Sequence, residues 1–233
     1  DGALYTTRGW EKPHLVSYME SHDEERLMYK NLTYGASAGT YNVRDLSVAL
    51  RRNELAASFL FLLPGPKMIW QFGELGYDYS INYCRNGTIN SNCRLDAKPI
   101  RWDYQEEPAR RRLYEVYRGL LQLRAHPTFQ HNFLVGTVQR SLTGGLKWVQ
   151  LSTDSAHLVV VGNFDINPIS GSVPFPLTGS WTDYFTGTRL EVAAPTQTVS
   201  LQPGEYRIYL DRNVTFPLNA VTPVRELSFP NGI

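Results

Sequence analysis

The sequence His-Leu-Val-Ser-Tyr-Met-Glu-Ser-His-Asp at residues 14–23 decides how the N-terminal half of the chain is interpreted. Its first half is short and mostly apolar, and it changes abruptly into a dense polar cluster. A buried parallel strand has this pattern, because it is apolar where both faces are covered and polar where it emerges at an active-site rim. The alternative is a helix start, with Ser21 as N-cap and Glu24 completing a capping box.

A second apolar run, Met68–Phe72, follows a segment at Val43–Leu63 whose apolar residues recur near helical spacing. Pro-Gly-Pro at residues 64–66 ends that predicted helix. A strand, a helix and a strand in this order form a βαβ unit, which requires a parallel sheet with helical cover. Two strands do not close such a sheet, and a (β/α)8 barrel takes roughly 250 residues. We therefore expect the last part of a barrel, with an open strand edge that something must cover.

The pattern changes from helical to alternating in the second half of the chain. After an irregular loop at residues 73–108, Ala109–His126 is the clearest predicted helix, and Pro127 ends it. Eight short alternating runs separated by turn residues then predict an antiparallel β-sandwich with a core of its own. The predicted strands are residues 134–140, 146–152, 157–163, 171–175, 181–183, 189–192, 197–201 and 205–210.

Both apolar runs resemble motifs of the α-amylase family, the family 13 glycoside hydrolases. Ser21-His22-Asp23 resembles the end of the seventh barrel strand of that family, and Pro64–Glu74 resembles its eighth strand. The resemblance implies an α/β plus all-β fold, in which the C-terminal portion of a (β/α)8 TIM barrel precedes an antiparallel β-sandwich. It divides the chain into residues 1–130 (barrel part), 131–212 (sandwich) and 213–233 (linker or tail). Further segments that resemble the family are Ile100–Trp102, Tyr117–Arg124, Val160–Phe164 and Pro203–Tyr206.

The resemblance also assigns roles to residues of the polar cluster. Besides its nucleophile and its acid/base, the family has a third carboxylate, which hydrogen-bonds to sugar hydroxyls and stabilises the transition state. Asp23 matches that carboxylate, and His22 matches the histidine that accompanies it. An ionised carboxylate suits that role because it orients hydroxyls and favours the positive charge that develops on the sugar. Glu20 and Arg26 are expected to bind substrate, although Glu20 could instead point into the barrel and Arg26 could pair only with Glu25.

The sequence departs from the family in one respect. A retaining glycosidase needs a carboxylate nucleophile and a carboxylic acid about 5–5.5 Å apart, and the family motifs that carry them are not found in these 233 residues. Glu24 and Glu25 are adjacent, so in a helix they diverge by about 100° and do not form such a pair. We therefore expect a C-terminal piece of an amylase-like enzyme, inactive alone, whose partner is the N-terminal part of the same protein.

Composition excludes several other classes of function. The net charge is +1, with 23 basic and 22 acidic residues, so no strong field attracts nucleic acid or an anionic membrane. No apolar run is long enough for a membrane span. The chain opens with no signal-peptide pattern, which excludes nothing, because we expect the sequence to begin within a longer protein. No residue pattern predicts a metal site or a cofactor; a structural calcium ion in the complete enzyme is not readable from this chain.

Cys84 and Cys93 lie in a loop rich in Asn, Ser and Gly. Their spacing fits no zinc or redox motif, which leaves a disulfide that closes the loop or a pair of free thiols. A disulfide would place the protein in an oxidising compartment, so we expect it to be secreted or periplasmic.

The sequence therefore predicts part of a retaining, α-amylase-like glycoside hydrolase that acts on α-glucans such as starch, glycogen or maltooligosaccharides. One alternative is a branching enzyme or glucanotransferase of the same family. The other is a non-catalytic carbohydrate-binding or structural module, in which Trp148, Trp181 and Tyr184 would form a sugar platform. These aromatic residues sit within strand patterns, which favours a place in the core.

Overall fold

The computed structural model describes residues 1–218. The N-terminal part is helical, and the C-terminal part consists of antiparallel sheets. Proline sets several of the helix limits: the third helix has Pro108 at its first position, where a missing N–H costs nothing, and Pro127 follows its end. No helix in residues 1–218 is both long and apolar enough to cross a membrane. The helices are α1 (Leu27–Tyr34), α2 (Leu46–Phe61), α3 (Pro108–Ala125) and α4 (Asn132–Val135).

The predicted helices are confirmed with small changes at their ends. The segment 73–108 is mainly irregular, as expected, and contains three short 3-10 helices at Gly73–Leu75, Ser91–Cys93 and Trp102–Glu106. A two-stranded hairpin, β1 (Ser37–Ala38) and β2 (Tyr41–Asn42), connects α1 to α2.

The two predicted parallel strands meet at a single point. Ser17 lies opposite Lys67 in an isolated parallel bridge. Its amide donates to the Pro66 carbonyl at 3.1 Å, and the Met68 amide donates to the Ser17 carbonyl at 3.0 Å. This arrangement has the direction that a βαβ unit requires, with α2 as the connecting helix.

The bridge corrects the prediction of two full strands at His14–Tyr18 and Met68–Phe72. Pro66 has no amide N–H and cannot extend the hydrogen-bond ladder toward the N-terminal side. The segment is also less covered than expected, because Val16 is 52% exposed and Tyr18 is 42% exposed. Within the described residues, only one side of this segment packs against its neighbours.

The C-terminal part forms a six-stranded antiparallel sheet and a two-stranded antiparallel sheet. The order in the larger sheet is β3-β4-β5-β10-β7-β8, and β6 pairs with β9 in the smaller one. The prediction of antiparallel β-structure is confirmed, although residues 132–135 form the short helix α4 instead of the start of the first strand. The strands are β3 (Thr137–Ser141), β4 (Leu146–Ser152), β5 (His157–Asn163), β6 (Ile169–Pro174), β7 (Gly179–Asp183), β8 (Arg189–Val192), β9 (Thr196–Leu201) and β10 (Tyr206–Leu210).

The larger sheet is buried on both faces at its central strand, β5. Along β5, Val159 and Val161 pack toward the smaller sheet, while Leu158 and Val160 face the helices. This alternation follows from the two-residue period of a strand. The sandwich has the core of its own that the sequence predicted, a cluster between the two sheets, while a larger apolar cluster runs from α2 and α3 onto the other face of the sheet.

Helix α3 also joins the two parts by polar contact. The Tyr184 hydroxyl donates to the Gly119 carbonyl in the middle of α3 at 2.8 Å. The Phe185 ring lies so close to Gly119 that an added Cβ would be 2.8 Å from it. The domain limits at residues 130 and 212 stay a prediction, and residues 219–233 of the predicted tail lie outside the described residues.

We expect Gly162→Ala to destabilise the protein, because α2 contacts β5 closely there. A Cβ at Gly162 would lie 2.4 Å from Cδ1 of Leu55 and 2.9 Å from Cε2 of Phe59. Overpacking of this kind costs about 1–3 kcal/mol, which urea denaturation would detect. Gly2→Ala is the matched control, since no heavy atom lies within 4 Å of its added Cβ. Equal stability of the two variants would contradict the shared core.

Candidate functional site

The polar cluster lies directly after the parallel bridge, at the surface. His22 and Asp23 have side chains that are 68% and 64% exposed, and their Nε2 and Oδ2 atoms are 3.3 Å apart. Asp23 also accepts from Arg94, whose Nη2 lies 2.9 Å from Oδ1. The Asp23 carboxylate thus lies between the His22 imidazole and the Arg94 guanidinium, in the wall of a cleft.

A local turn fixes the direction of Asp23. The Asp23 amide donates to the Ser21 hydroxyl at 3.0 Å, and that hydroxyl donates to the Glu24 carboxylate. The alternative prediction of a capping box is corrected, because α1 begins later, at Leu27. The Leu27 amide is capped by the Glu20 carboxylate at 2.9 Å instead.

Glu20 and Arg26 form a buried ion pair beneath this turn. Arg26 Nη1 is 3.2 Å from Glu20 Oε1, and the two side chains are only 3% and 8% exposed. Burial raises the pKa of the Glu20 carboxyl, against the opposing effect of the Arg26 charge. The suggestion that Arg26 pairs only with Glu25 is corrected: its guanidinium bonds to Glu20, because Glu25 is turned toward other donors.

Aromatic rings enclose the Arg26 guanidinium. Its carbon lies 4.8 Å from the centre of the Tyr77 ring and 5.9 Å from that of Trp70. Such cation–π contacts are stronger away from water. Trp70 in turn approaches His22, with ring centres 5.6 Å apart. The buried pair is therefore connected to the exposed cluster through one indole ring.

Glu25 connects the polar cluster to the irregular loop at residues 73–108 by hydrogen bonds. Its carboxylate accepts from the Ser80 hydroxyl at 2.6 Å and from the Ile81 amide at 2.9 Å. These bonds place the loop across the end of the parallel segments. They also occupy the Glu25 carboxylate, so it does not face the cleft beside Asp23.

The loop is closed by a disulfide between Cys84 and Cys93. Lys98 fixes the same loop by donating to the carbonyls of Tyr83 and Cys93 at 2.8 and 2.7 Å. Arg94 follows the second cysteine directly, and this position brings its guanidinium to Asp23. The position of Arg94 was not predicted from the sequence, where the only signal is a basic residue directly after the cysteine that closes the loop.

The cleft beside Asp23 has a volume of about 290 Å³. Its wall combines charged groups with the edge of an indole ring, the mixture that small-molecule sites use to orient a ligand. No three His, Cys, Asp or Glu side chains of residues 1–218 converge as metal ligands. The lining includes His22, Asp23, Arg26, Trp70, Gln71, Arg94, Asp96 and Lys98.

The aromatic residues of the alternative sugar platform belong to the core. Trp181 is 1% exposed and Tyr184 is 3% exposed. Trp148 is partly buried and packs against the cluster between the two sheets. The interpretation of these residues as core aromatics is therefore confirmed.

Comparisons with solved structures identify the fold. The chain is similar to AmyP in complex with maltotriose, at a TM-score of 0.62 and 17% identity, over 83% of this chain and 40% of that one. It is also similar to the α-amylase of Geobacillus thermoleovorans complexed with acarbose, at a TM-score of 0.57 and 12% identity, over 84% and 38%. CldA, a cyclomaltodextrin glucanotransferase, matches at a TM-score of 0.59 and 18% identity, over 88% and 38%.

These matches define a fold class. The chain shares the fold of part of the α-amylase-type glycoside hydrolases and spans about two fifths of the length of these structures. A scan against models of protein families finds no match, and a search of curated protein sequences finds none. At such low identity the likeness concerns the fold alone, and the chemistry must be argued from the site.

Proposed function

We propose that this chain is the C-terminal part of a retaining glycoside hydrolase of the α-amylase family that acts on α-glucans. The observation that carries the proposal is the Asp23 carboxylate, exposed at the end of a parallel segment with His22 beside it. Active sites of barrel folds lie at the C-terminal ends of their strands. The fold match to structures bound to maltotriose and acarbose supports an α-glucan as the ligand.

Asp23 would orient two sugar hydroxyls and stabilise the positively charged transition state, with His22 as a second hydrogen-bond partner. Arg94 would contribute donors to the same sugar from the opposite side of the carboxylate. Glu20 and Arg26 would not contact the sugar. Their buried ion pair would position the residues that do, because it fixes the start of α1 and supports Trp70 beside His22.

The remaining carboxylates of the cluster do not supply a nucleophile and an acid. Glu20 is buried with Arg26, Glu24 accepts from Ser21, and Glu25 accepts from Ser80. A retaining mechanism needs two such groups across the sugar. In the proposal they come from the preceding part of the protein, which also covers the exposed face at Val16 and Tyr18.

A glucanotransferase of the same family is the second candidate, supported by the match to CldA, whose TM-score is close to that of AmyP. The two activities share the covalent glycosyl-enzyme step and differ in the acceptor that removes the sugar. We further propose an oxidising location, secreted or periplasmic, because the disulfide Cys84–Cys93 persists only there in most organisms.

A purified protein of these 233 residues is expected to show no hydrolysis of starch or maltooligosaccharides, because one carboxylate does not act as both nucleophile and proton donor. Release of reducing ends is the assay, and a complete α-amylase under the same conditions is the positive control. Turnover that copurifies with homogeneous protein would show that the catalytic pair lies within this chain.

The coding sequence ahead of the Asp1 codon distinguishes two hypotheses: that this chain is part of an enzyme, and that it is a non-catalytic module. The proposal predicts an in-frame Gly-x-Arg-x-Asp motif there, which is where the family carries its nucleophile. Coding sequence of barrel length without that motif would remove the enzymatic interpretation.

A further inference from the structure

The extended segment at residues 67–70 has backbone groups without partners along one edge, which we call the free edge. Ser17 occupies the other edge, in the parallel bridge to Lys67. In a parallel ladder, the amide and carbonyl of the residue opposite Ser17 point away from it, and the two-residue period of an extended chain turns those of Ile69 the same way. The backbone groups of Lys67 and Ile69 have no hydrogen-bond partner among residues 1–218.

A groove with a volume of about 770 Å³ runs between residues 69–72 and α3. The residues that α3 contributes to its wall recur with the helical period, so they form one face of the helix. The opposite face of α3 is already buried in the main apolar cluster. The α3 residues in the groove are Tyr114, Tyr117, Arg118, Leu121, Gln122 and Ala125.

Large apolar side chains in this groove are exposed. Trp102 is 64% exposed, Leu121 is 44% exposed and Ile69 is 37% exposed. Helix α3 therefore has apolar residues on two faces, whereas the helix of a globular surface normally has one apolar stripe. An apolar face beside a row of unpaired backbone groups suits an extended strand, which supplies apolar side chains and main-chain hydrogen bonds together.

We propose that an apolar β-strand from the preceding part of the protein docks in this groove and pairs in parallel with Lys67 and Ile69. A closed barrel has no free strand edge, because its last strand pairs with its first. This chain spans about two fifths of the length of the matched structures, so the remaining part would supply the first strand. The source and the parallel direction of the strand rest on the proposed function.

Amide hydrogen exchange tests the pairing in two proteins: the 233 residues alone, and a longer protein that adds the preceding part of the barrel ahead of Asp1. We expect the Lys67 and Ile69 amides to exchange rapidly in the 233-residue protein. In the longer protein they are expected to exchange on the order of 100-fold more slowly, because pairing in a core strand protects amides from exchange.

Leu121→Glu tests the groove itself. Leu121 is 44% exposed on a helix, so this variant of the 233-residue protein is expected to keep its unfolding midpoint. In the longer protein the new charge would be buried beneath the docked strand, and exchange at Ile69 is expected to rise on the order of tenfold. Leu177→Glu is the matched control, because Leu177 is 48% exposed and lies between β6 and β7, outside the groove.

The outcomes separate this proposal from the proposed function. Rapid exchange at Lys67 and Ile69 in both proteins would overturn the pairing, even if the longer protein hydrolyses α-glucans. Slow exchange in the longer protein without hydrolysis would support the docked strand and overturn the proposed function.

Two further results would overturn the docked strand. Slow exchange already in the 233-residue protein is the first, and its loss on dilution would assign the free edge to a second copy of this chain. The second is exchange at Ile69 that Leu121→Glu leaves unchanged in the longer protein, which would show that the groove is not the docking surface.

Discussion

Arg26→Met is expected to lower the free energy of unfolding by about 3–5 kcal/mol, because it leaves a buried carboxylate without its partner. Glu20 is only 8% exposed, and Arg26 is its ion-pair partner at 3.2 Å. The substitution also removes the cation that lies between Trp70 and Tyr77. Urea denaturation at neutral pH measures the effect.

The matched control for this variant is Arg85→Met. Arg85 is exposed in the disulfide loop, so its replacement is expected to change stability by less than about 0.5 kcal/mol. The double variant Glu20→Gln/Arg26→Met is expected to recover part of the loss, since it no longer buries an unpaired charge. A single variant as stable as Arg85→Met would show that the pair does not organise the start of α1.

The loss in Arg26→Met should depend on pH. Burial raises the pKa of Glu20 above its ordinary value of 4.5 even with Arg26 present, and removal of the cation raises it further. A group whose pKa is raised in the folded state contributes stability below its unfolded pKa and loses it as pH rises through the folded value. The deficit of the variant is therefore expected to shrink as pH falls toward 4.5.

Much of the fold could be predicted from the sequence, because local patterns determine it. The alternation in β4, β5 and β8 gave the observed limits, and the proline residues around α3 marked its ends. The parallel segments were less predictable. Their apolar composition indicated two buried strands, but Pro66 stops the ladder after one bridge, and coverage depends on neighbours outside the segment.

In the candidate site, only the placement of residues that belong to a motif could be predicted from the sequence. His22 and Asp23 lie together at the surface, as the Ser-His-Asp motif indicated. The pairing of Glu20 with Arg26 depends on how the chain turns between them, which no periodicity specifies. Arg94 lies 71 residues from Asp23 in sequence and reaches it only because a closed loop folds back over the cluster.

On the proposed function, Asp23→Asn is expected to reduce kcat on the order of 10²–10³-fold in the complete protein, with a small change in KM. The amide keeps the shape of the side chain and loses the negative charge that opposes the developing positive charge on the sugar. Asp23 is exposed and held at the surface by a local turn, so the variant should fold normally. Its thermal unfolding should match that of the wild type.

The measurement that tests the account most directly is therefore kcat and KM of Asp23→Asn on maltooligosaccharides, in an enzyme that contains this chain together with the rest of its barrel. Asp154→Asn serves as the control, because Asp154 is an exposed aspartate in the turn between β4 and β5. We expect a large fall in kcat for Asp23→Asn and none for Asp154→Asn. An unchanged kcat with only a raised KM would contradict it and make Asp23 a peripheral sugar ligand.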